Sequence, residues 1–206
     1  MKYPDNIHQL EMLQPDYIGF IFYEKSKRFI GDLNIKSLNI NSDIKKVGVF
    51  VNASEKYILQ NIKKHDLQLV QLHGDETPDF CKSLFLKGIK ISKVFQISED
   101  FDFKKLEAYK DACNYFLFDT KTKLYGGSGR KFDWHILENY DNKKPFFLSG
   151  GIDVDDVKSI KELSGLNIYA VDINSKFEIE TGLKDIGKVG LFMEELKLDH
   201  KELISR

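Results

Sequence analysis

Seven short apolar runs, at 17–22, 47–51, 69–73, 91–97, 115–119, 146–149 and 168–173, begin 22 to 31 residues apart along this chain. Between them the apolar residues repeat with helical period: Ile58, Leu59 and Ile62; Cys81, Leu84 and Phe85; Val154, Val157 and Ile160; Ile186, Val189, Met193 and Leu196. The interval is the length of a strand plus its crossover helix. Strands that are apolar on both faces must be covered on both faces. The pattern therefore predicts a parallel α/β sheet, either doubly wound or closed as a (β/α)8 barrel. Helix starts fall where the pattern needs them. Thr77-Pro78 offers a cap followed by proline at the first helical position, Asp153 stands three residues before Asp156, and Asp185 precedes the last apolar stripe. No linker or low-complexity tract interrupts the alternation, which predicts a single domain over 1–206. The count is uneven: seven strands face eight helical segments, the first at 4–14 with only three residues ahead of it.

The 206 residues are 42% hydrophobic, with 16 Phe and 9 Tyr, which is enough for a sizeable core. Thirty-one basic side chains against 32 acidic ones leave a net charge of −1. No global field then draws in nucleic acid or an anionic membrane, and neither is expected as a partner. An anionic ligand must be held by a local arrangement, so the expected partner is a small charged metabolite. Cys81 and Cys113 lack the paired spacing of metal or redox motifs and read as buried thiols in a reducing compartment. No stretch approaches the roughly 20 apolar residues of a membrane span, and the start does not read as a leader; the expected location is cytoplasmic.

Parallel α/β proteins bind ligands at the carboxyl ends of their strands, and those ends are polar here. The run YFLFD ends on Asp119 and passes into a loop of hydroxyls and glycines, TKTKLYGGSG. A carboxyl at the mouth of a buried strand is a candidate acid or base, although Asp also ends strands simply to cap a turn. His73 closes the run at 69–73, where a core histidine bonded to backbone is the plainer reading. Arg28 could clamp a carboxylate with its fork of donors, or be one more solvated charge in Lys25 to Arg28. Ser149-Gly150-Gly151 and Asp172-Ile173-Asn174-Ser175 follow the last two strands. That is where barrel enzymes hold a phosphate, on backbone amides and a helix N-terminus. Either loop alone could be an ordinary turn; two in consecutive positions make phosphate binding the expectation.

Through PDYIGFIFYEKSKRF, VGVFVN, VQLHGDE, FDTKTKLYGGSGRKFDW, LSGGI, and AVDINSKFE followed by GLKD, the chain resembles the phosphoribosylanthranilate isomerases, (β/α)8 enzymes of tryptophan biosynthesis. The likeness runs from Pro4 to about Leu196. It implies a (β/α)8 barrel whose first β-strand is missing from this sequence, and an Amadori rearrangement of N-(5-phosphoribosyl)anthranilate with neither metal nor organic cofactor. Asp119 matches the family's acid, which must be protonated to begin the reaction. Arg28 matches the residue facing the anthranilate portion, and His73 and Gly127 join it as substrate-binding positions. Gly150, Gly151, Asp172, Asn174 and Ser175 match the phosphate grip. Thr181 stands where the family has Pro. The family's base is a Cys in a Cys-Gly-Met-like segment ending the first strand, and the chain opens at what looks like that Met. Neither Cys81 nor Cys113 is placed to substitute, so the form given is expected to be impaired. A related barrel acting on another phosphorylated sugar would need metal ligands or catalytic lysines at strand ends. A silent phosphate-binding barrel is the alternative outside catalysis. A monomer or homodimer fits either reading.

Overall fold

The structure, a computed structural model, describes residues 1–120 and 132–202, with side chains as far as residue 197. One parallel sheet holds β1 (Tyr17–Ile21), β2 (Lys45–Phe50), β3 (Leu69–Leu72), β4 (Ile91–Ile97), β5 (Tyr115–Thr120), β6 (Phe146–Leu148) and β7 (Ile168–Val171). Each strand pairs only with its sequence neighbours, the strand order of a barrel and not of a doubly wound sheet.

The period of two along each strand divides the core. Phe116 and Phe118 point to the helix side and are fully buried; Phe118 packs against Phe146 and Tyr140 at ring separations of 4.7 and 5.2 Å. Tyr115, Leu117 and Asp119 alternate with them and face the interior. There Leu117 joins Val47, Leu69, Val94 and Phe147 in a second, inner cluster. The same alternation turns Leu69, Gln71 and His73 inward. Emptying the Phe118 position to Ala would cost about 3–5 kcal/mol, the usual figure for a buried aromatic ring.

The sheet curls until its two edge strands meet at their amino-terminal ends. Tyr17 of β1 donates its hydroxyl to that of Tyr169 on β7 at 3.2 Å, and the Tyr115 ring lies 4.5 Å from Tyr169. Among the described residues β1 and β7 share no backbone ladder, and a slot remains between them. The backbone nitrogen of Met1 enters its upper end and donates to Gly19 O at 3.2 Å.

Among the described residues five α-helices cover the sheet: α1 (Pro4–Glu11), α2 (Glu55–His65), α3 (Pro78–Phe85), α4 (Val157–Glu162) and α5 (Ile186–Glu202). Their caps are those read from the sequence. The Thr77 hydroxyl accepts from Phe80 N, Asp153 and Asp156 form a reciprocal capping box, and Asp185 accepts from Lys188 N. The eight helical segments read from the sequence are met, though not all as α-helix. Three crossovers carry 3-10 turns instead, at Ile35–Leu38, Phe103–Tyr109 and Trp134–Asn139. In the last of these Trp134 and Leu137 are the buried pair, the i, i+3 spacing that a 3-10 turn eclipses. A small antiparallel hairpin, β8 (Glu178–Glu180) and β9 (Leu183–Lys184), follows β7 and was not expected. Asn6 of α1 fastens it by donating to Lys184 O at 2.9 Å and accepting from Lys184 N at 2.7 Å.

Candidate active site

A cavity of about 1000 Å³ opens at the carboxyl ends of the strands and continues down the slot between β1 and β7. Arg28, His73, Asp119, the 149–151 loop and the 172–175 loop all line it. The strand-end positions singled out in the sequence are thus brought together, with one exception: Gly127 lies outside the described residues. No group of three or more His, Cys, Asp or Glu among the described residues could hold a metal ion, and no helix is long and apolar enough to cross a membrane.

Asp119 and His73 face each other across the mouth, with Nε2 of His73 3.5 Å from Oδ2 of Asp119. That is ion-pair range but long for a hydrogen bond. The imidazole is not the backbone-bonded core histidine of the plainer reading. Its Nδ1 meets Gln71 Nε2 at 3.3 Å, and its buried Nε2 makes no hydrogen bond among the described residues. Asp119 keeps one oxygen for its own turn, Oδ1 accepting from Thr120 N at 2.8 Å, while Oδ2 turns to the cavity. The capping and catalytic readings of this carboxylate are therefore compatible.

Glycine is required beside it. Gly150 has φ +99°, and a Cβ there would lie 2.6 Å from Thr120 N and 3.1 Å from Asp119 Oδ1. Gly151 follows at φ +68°. The loop after β6 thus presses its backbone against the end of β5, bringing peptide groups to the acid. In the neighbouring loop the Ser149 hydroxyl donates to Asp172 Oδ2 at 3.4 Å. Burial, and then the charge of Asp119, push the Asp172 carboxyl above its ordinary range. Helical support at Asn174-Ser175 is smaller than expected, since only one 3-10 turn, Ser175–Phe177, follows.

Arg28 is not a solvated member of its basic run. Lys25 and Lys27 are exposed, but Arg28 folds back onto the hairpin and grips Glu178. Nε lies 2.9 and 3.0 Å from the two carboxylate oxygens and Nη2 2.6 Å from Oε2. Burial pushes the Glu178 carboxyl up, but Arg28 and Lys184 outweigh it and hold the group below the usual range. Lys184, 8% exposed, is lowered to about 8 by burial. It donates to Asn174 O at 2.9 Å and Asn174 Oδ1 at 3.0 Å. Glu178 and Lys184 went unnoticed in the sequence; the alternation in EIE ahead of Gly182 is the signal that would have found the hairpin. A second missed pair lies behind His73: Lys93 of β4 meets Glu76 at 3.1 Å, both side chains 3% exposed. Its signal was a lysine inside the apolar run ISKVFQI. Cys81 and Cys113 are buried as expected, their thiols pushed up by burial to about 12 and about 11.

Comparison with known proteins decides the family. Residues 4–195 match the family model for N-(5'-phosphoribosyl)anthranilate isomerase. The chain belongs to this isomerase family. It is 41% identical over 199 residues to the N-(5'-phosphoribosyl)anthranilate isomerase of Parabacteroides distasonis, covering 95% of this chain and 90% of that one. The phosphoribosylanthranilate isomerase structure from Thermotoga maritima superposes with a TM-score of 0.83 at 30% identity, over 96% of this chain and 95% of the other. Another isomerase structure, in complex with reduced 1-(o-carboxyphenylamino)-1-deoxyribulose 5-phosphate, gives 0.82 at 27% identity, again over 96% and 95%. The curled sheet of β1 to β7 is thus a (β/α)8-type fold, and the family membership makes the chain an isomerase of tryptophan biosynthesis.

Proposed function

We propose that the chain converts N-(5-phosphoribosyl)anthranilate to 1-(2-carboxyphenylamino)-1-deoxyribulose 5-phosphate, with Asp119 as general acid. The observation carrying this reading is the convergence of Asp119, Arg28 and both strand-end loops on one cavity, in a chain of this family. Asp119 gives its proton to the ribose ring oxygen, the bond from C1 to that oxygen breaks, and the anthranilate nitrogen is left as an imine. A base then takes the proton from C2, forming an enolamine that tautomerises to the ketone. The hydrogen lost at C2 is balanced by the one gained at C1, so the aldose becomes the ketose without an external oxidant or reductant. His73, poised at Asp119 with a free Nε2, is a donor for a sugar oxygen. Gly150, Gly151, Asn174 and Ser175 hold the phosphate beside Asp172, Arg28 takes the anthranilate carboxylate, and Gly127, outside the described residues, is a further substrate-binding position.

The base belongs in the slot. Neither buried thiol borders the cavity, and both are held protonated by burial. The slot has facing strand edges, and Met1 N already makes a ladder-like bond to Gly19 O within it. An extended strand ending in Cys-Gly, seated between β1 and β7, would complete an eight-stranded barrel as one domain and bring a thiol to the mouth.

Two measurements test this. On an active form, Asp119→Asn should lower turnover by about 10² to 10⁴ with ligand binding largely kept, the usual contribution of general acid–base catalysis. Near-normal turnover would remove Asp119 from the role. Extending the chain ahead of Met1 by a strand ending in Cys-Gly should raise both activity and stability. Full activity from the chain starting at Met1 would overturn the slot assignment and move the base to another group, His73 being the nearest.

A further inference from the structure

Of the five N–H groups on a guanidinium, Arg28 commits the side-on pair, on Nε and Nη2, to Glu178. Its end-on edge, Nη1 with the second proton of Nη2, remains for a second carboxylate. Arg28 alone, on a loop, would have many rotamers. Glu178 is 5% exposed and anchored in turn: Oε1 accepts from Gly182 N at 3.1 Å, and Lys184 Nζ stands 3.8 Å from it. Lys184 is fixed through its backbone by Asn6 and through its ammonium by Asn174. An unbroken run of contacts thus joins the loop after β1 to the loop after β7, the two ends of the proposed substrate site. Within this run of contacts two cations stand against one anion, while Asp172 acts on Lys184 from outside it.

Resting on the substrate reading above, we propose that Glu178 is a positioning residue that aims the end-on fork of Arg28 and thereby sets selectivity for an ortho-carboxylated aniline. A bidentate fork is worth most when pre-oriented, because the ordering cost is met before the ligand arrives. Glu178 does not itself touch the ligand; its signature is the preference for the carboxylated ligand over the plain one.

The test is calorimetric binding of two ligands to the full chain: reduced 1-(o-carboxyphenylamino)-1-deoxyribulose 5-phosphate and its 1-phenylamino counterpart lacking the carboxylate. Binding needs no catalytic base, so the outcome stands apart from the slot assignment. The unsubstituted protein should prefer the carboxylated ligand by about 10- to 100-fold, the factor expected of charged hydrogen bonds. In Arg28→Met and in Glu178→Gln that preference should collapse; affinity for the counterpart stays within about 3-fold in Arg28→Met, whereas Glu178→Gln takes a counterion from Lys184 and is read by the ratio of the two affinities alone. Glu178→Asp keeps the charge that Lys184 needs and so guards against a folding failure; it should lose part of the preference, since its carboxylate no longer reaches the fork squarely. Equal weakening of both ligands in the Glu178 variants would make the residue merely structural, and an unchanged preference would deny it any role; either overturns the proposal. A preference that survives Arg28→Met would instead overturn the assignment of Arg28, and the two failures are told apart by which variant shows them.

Discussion

Lys93→Met should be among the most damaging substitutions of a polar residue in this protein. The side chain sits on the helix side of β4, 3% exposed, with its ammonium 3.3, 2.7 and 3.1 Å from the carbonyls of Leu72, Gly74 and Val94 and 3.1 Å from Glu76. Methionine keeps the stem but takes the ammonium from all four oxygens, and Glu76, also 3% exposed, keeps the Asn52 and Gly74 amides but becomes a buried charge without its counterion. Breaking such a pair from one side costs about 3–5 kcal/mol. Glu76→Gln is gentler, because Lys93 retains three carbonyls and the glutamine oxygen can still accept from Asn52 N and Gly74 N; about 1–3 kcal/mol is expected. At this chain length 1 kcal/mol moves the melting temperature by about 2–4 °C, so Lys93→Met should melt roughly 10 °C lower. Urea unfolding with an unchanged m-value measures both costs directly. A loss below about 1 kcal/mol for Lys93→Met, or one no larger than for Glu76→Gln, would refute the view that this pair pins the β3 loop behind His73.

Other consequences are as specific. Gly151→Val places a branched side chain at φ +68°, at a strain cost of about 1–3 kcal/mol, and should weaken binding of phosphorylated ligands and of inorganic phosphate; a crystal soak with the anion only beside Lys25 to Arg28 would count against this loop. Lys184, lowered to about 8 in the folded chain, gives opposite trends in one pH range. Since the folded state binds this proton less readily than the unfolded one, the group's contribution to stability is least favourable below about 8 and improves toward its ordinary value of 10.5, while phosphate affinity falls through about 8 as the charge beside Asn174 is lost. Lys184→Met should erase that inflection in affinity; an inflection that persists assigns it elsewhere. Tyr169→Phe removes the hydroxyl joining β7 to β1 and should cost about 0.5–1.5 kcal/mol in urea unfolding, with no effect on Arg28-dependent selectivity.

The strands were legible because their signal is local. Runs apolar on both faces between turn residues have few alternatives, and the structure places 91–97 as read and the others within about two residues, the usual uncertainty of an end. The caps at Thr77 and Asp153 were legible for the same reason: donor and acceptor lie three residues apart. What the sequence concealed was non-local. Arg28 and Glu178 stand 150 residues apart, as do Tyr17 and Tyr169 at 152, and no periodicity connects them. The crossover at Phe103–Tyr109 packs Phe103, Leu106 and Tyr109 against the core, and that spacing of three suits a 3-10 turn better than the 3.6-residue period of an α-helix.

Net charge and site chemistry meet in the hairpin. A chain at −1 has no surplus field with which to attract a ligand carrying both a phosphate and a carboxylate. It must instead place cations at separate points and keep them from collapsing onto Asp119, the acid of the proposed function. Glu178 serves that end by holding Arg28 to the hairpin, and the Asn174 carbonyl and side-chain amide hold Lys184 to the loop after β7. Asp119 is left facing an imidazole instead of a fixed cation. In the proposed function, where Asp119 is the general acid, a permanent cation beside it would oppose proton donation, so holding Arg28 and Lys184 on partners of their own belongs to that proposal.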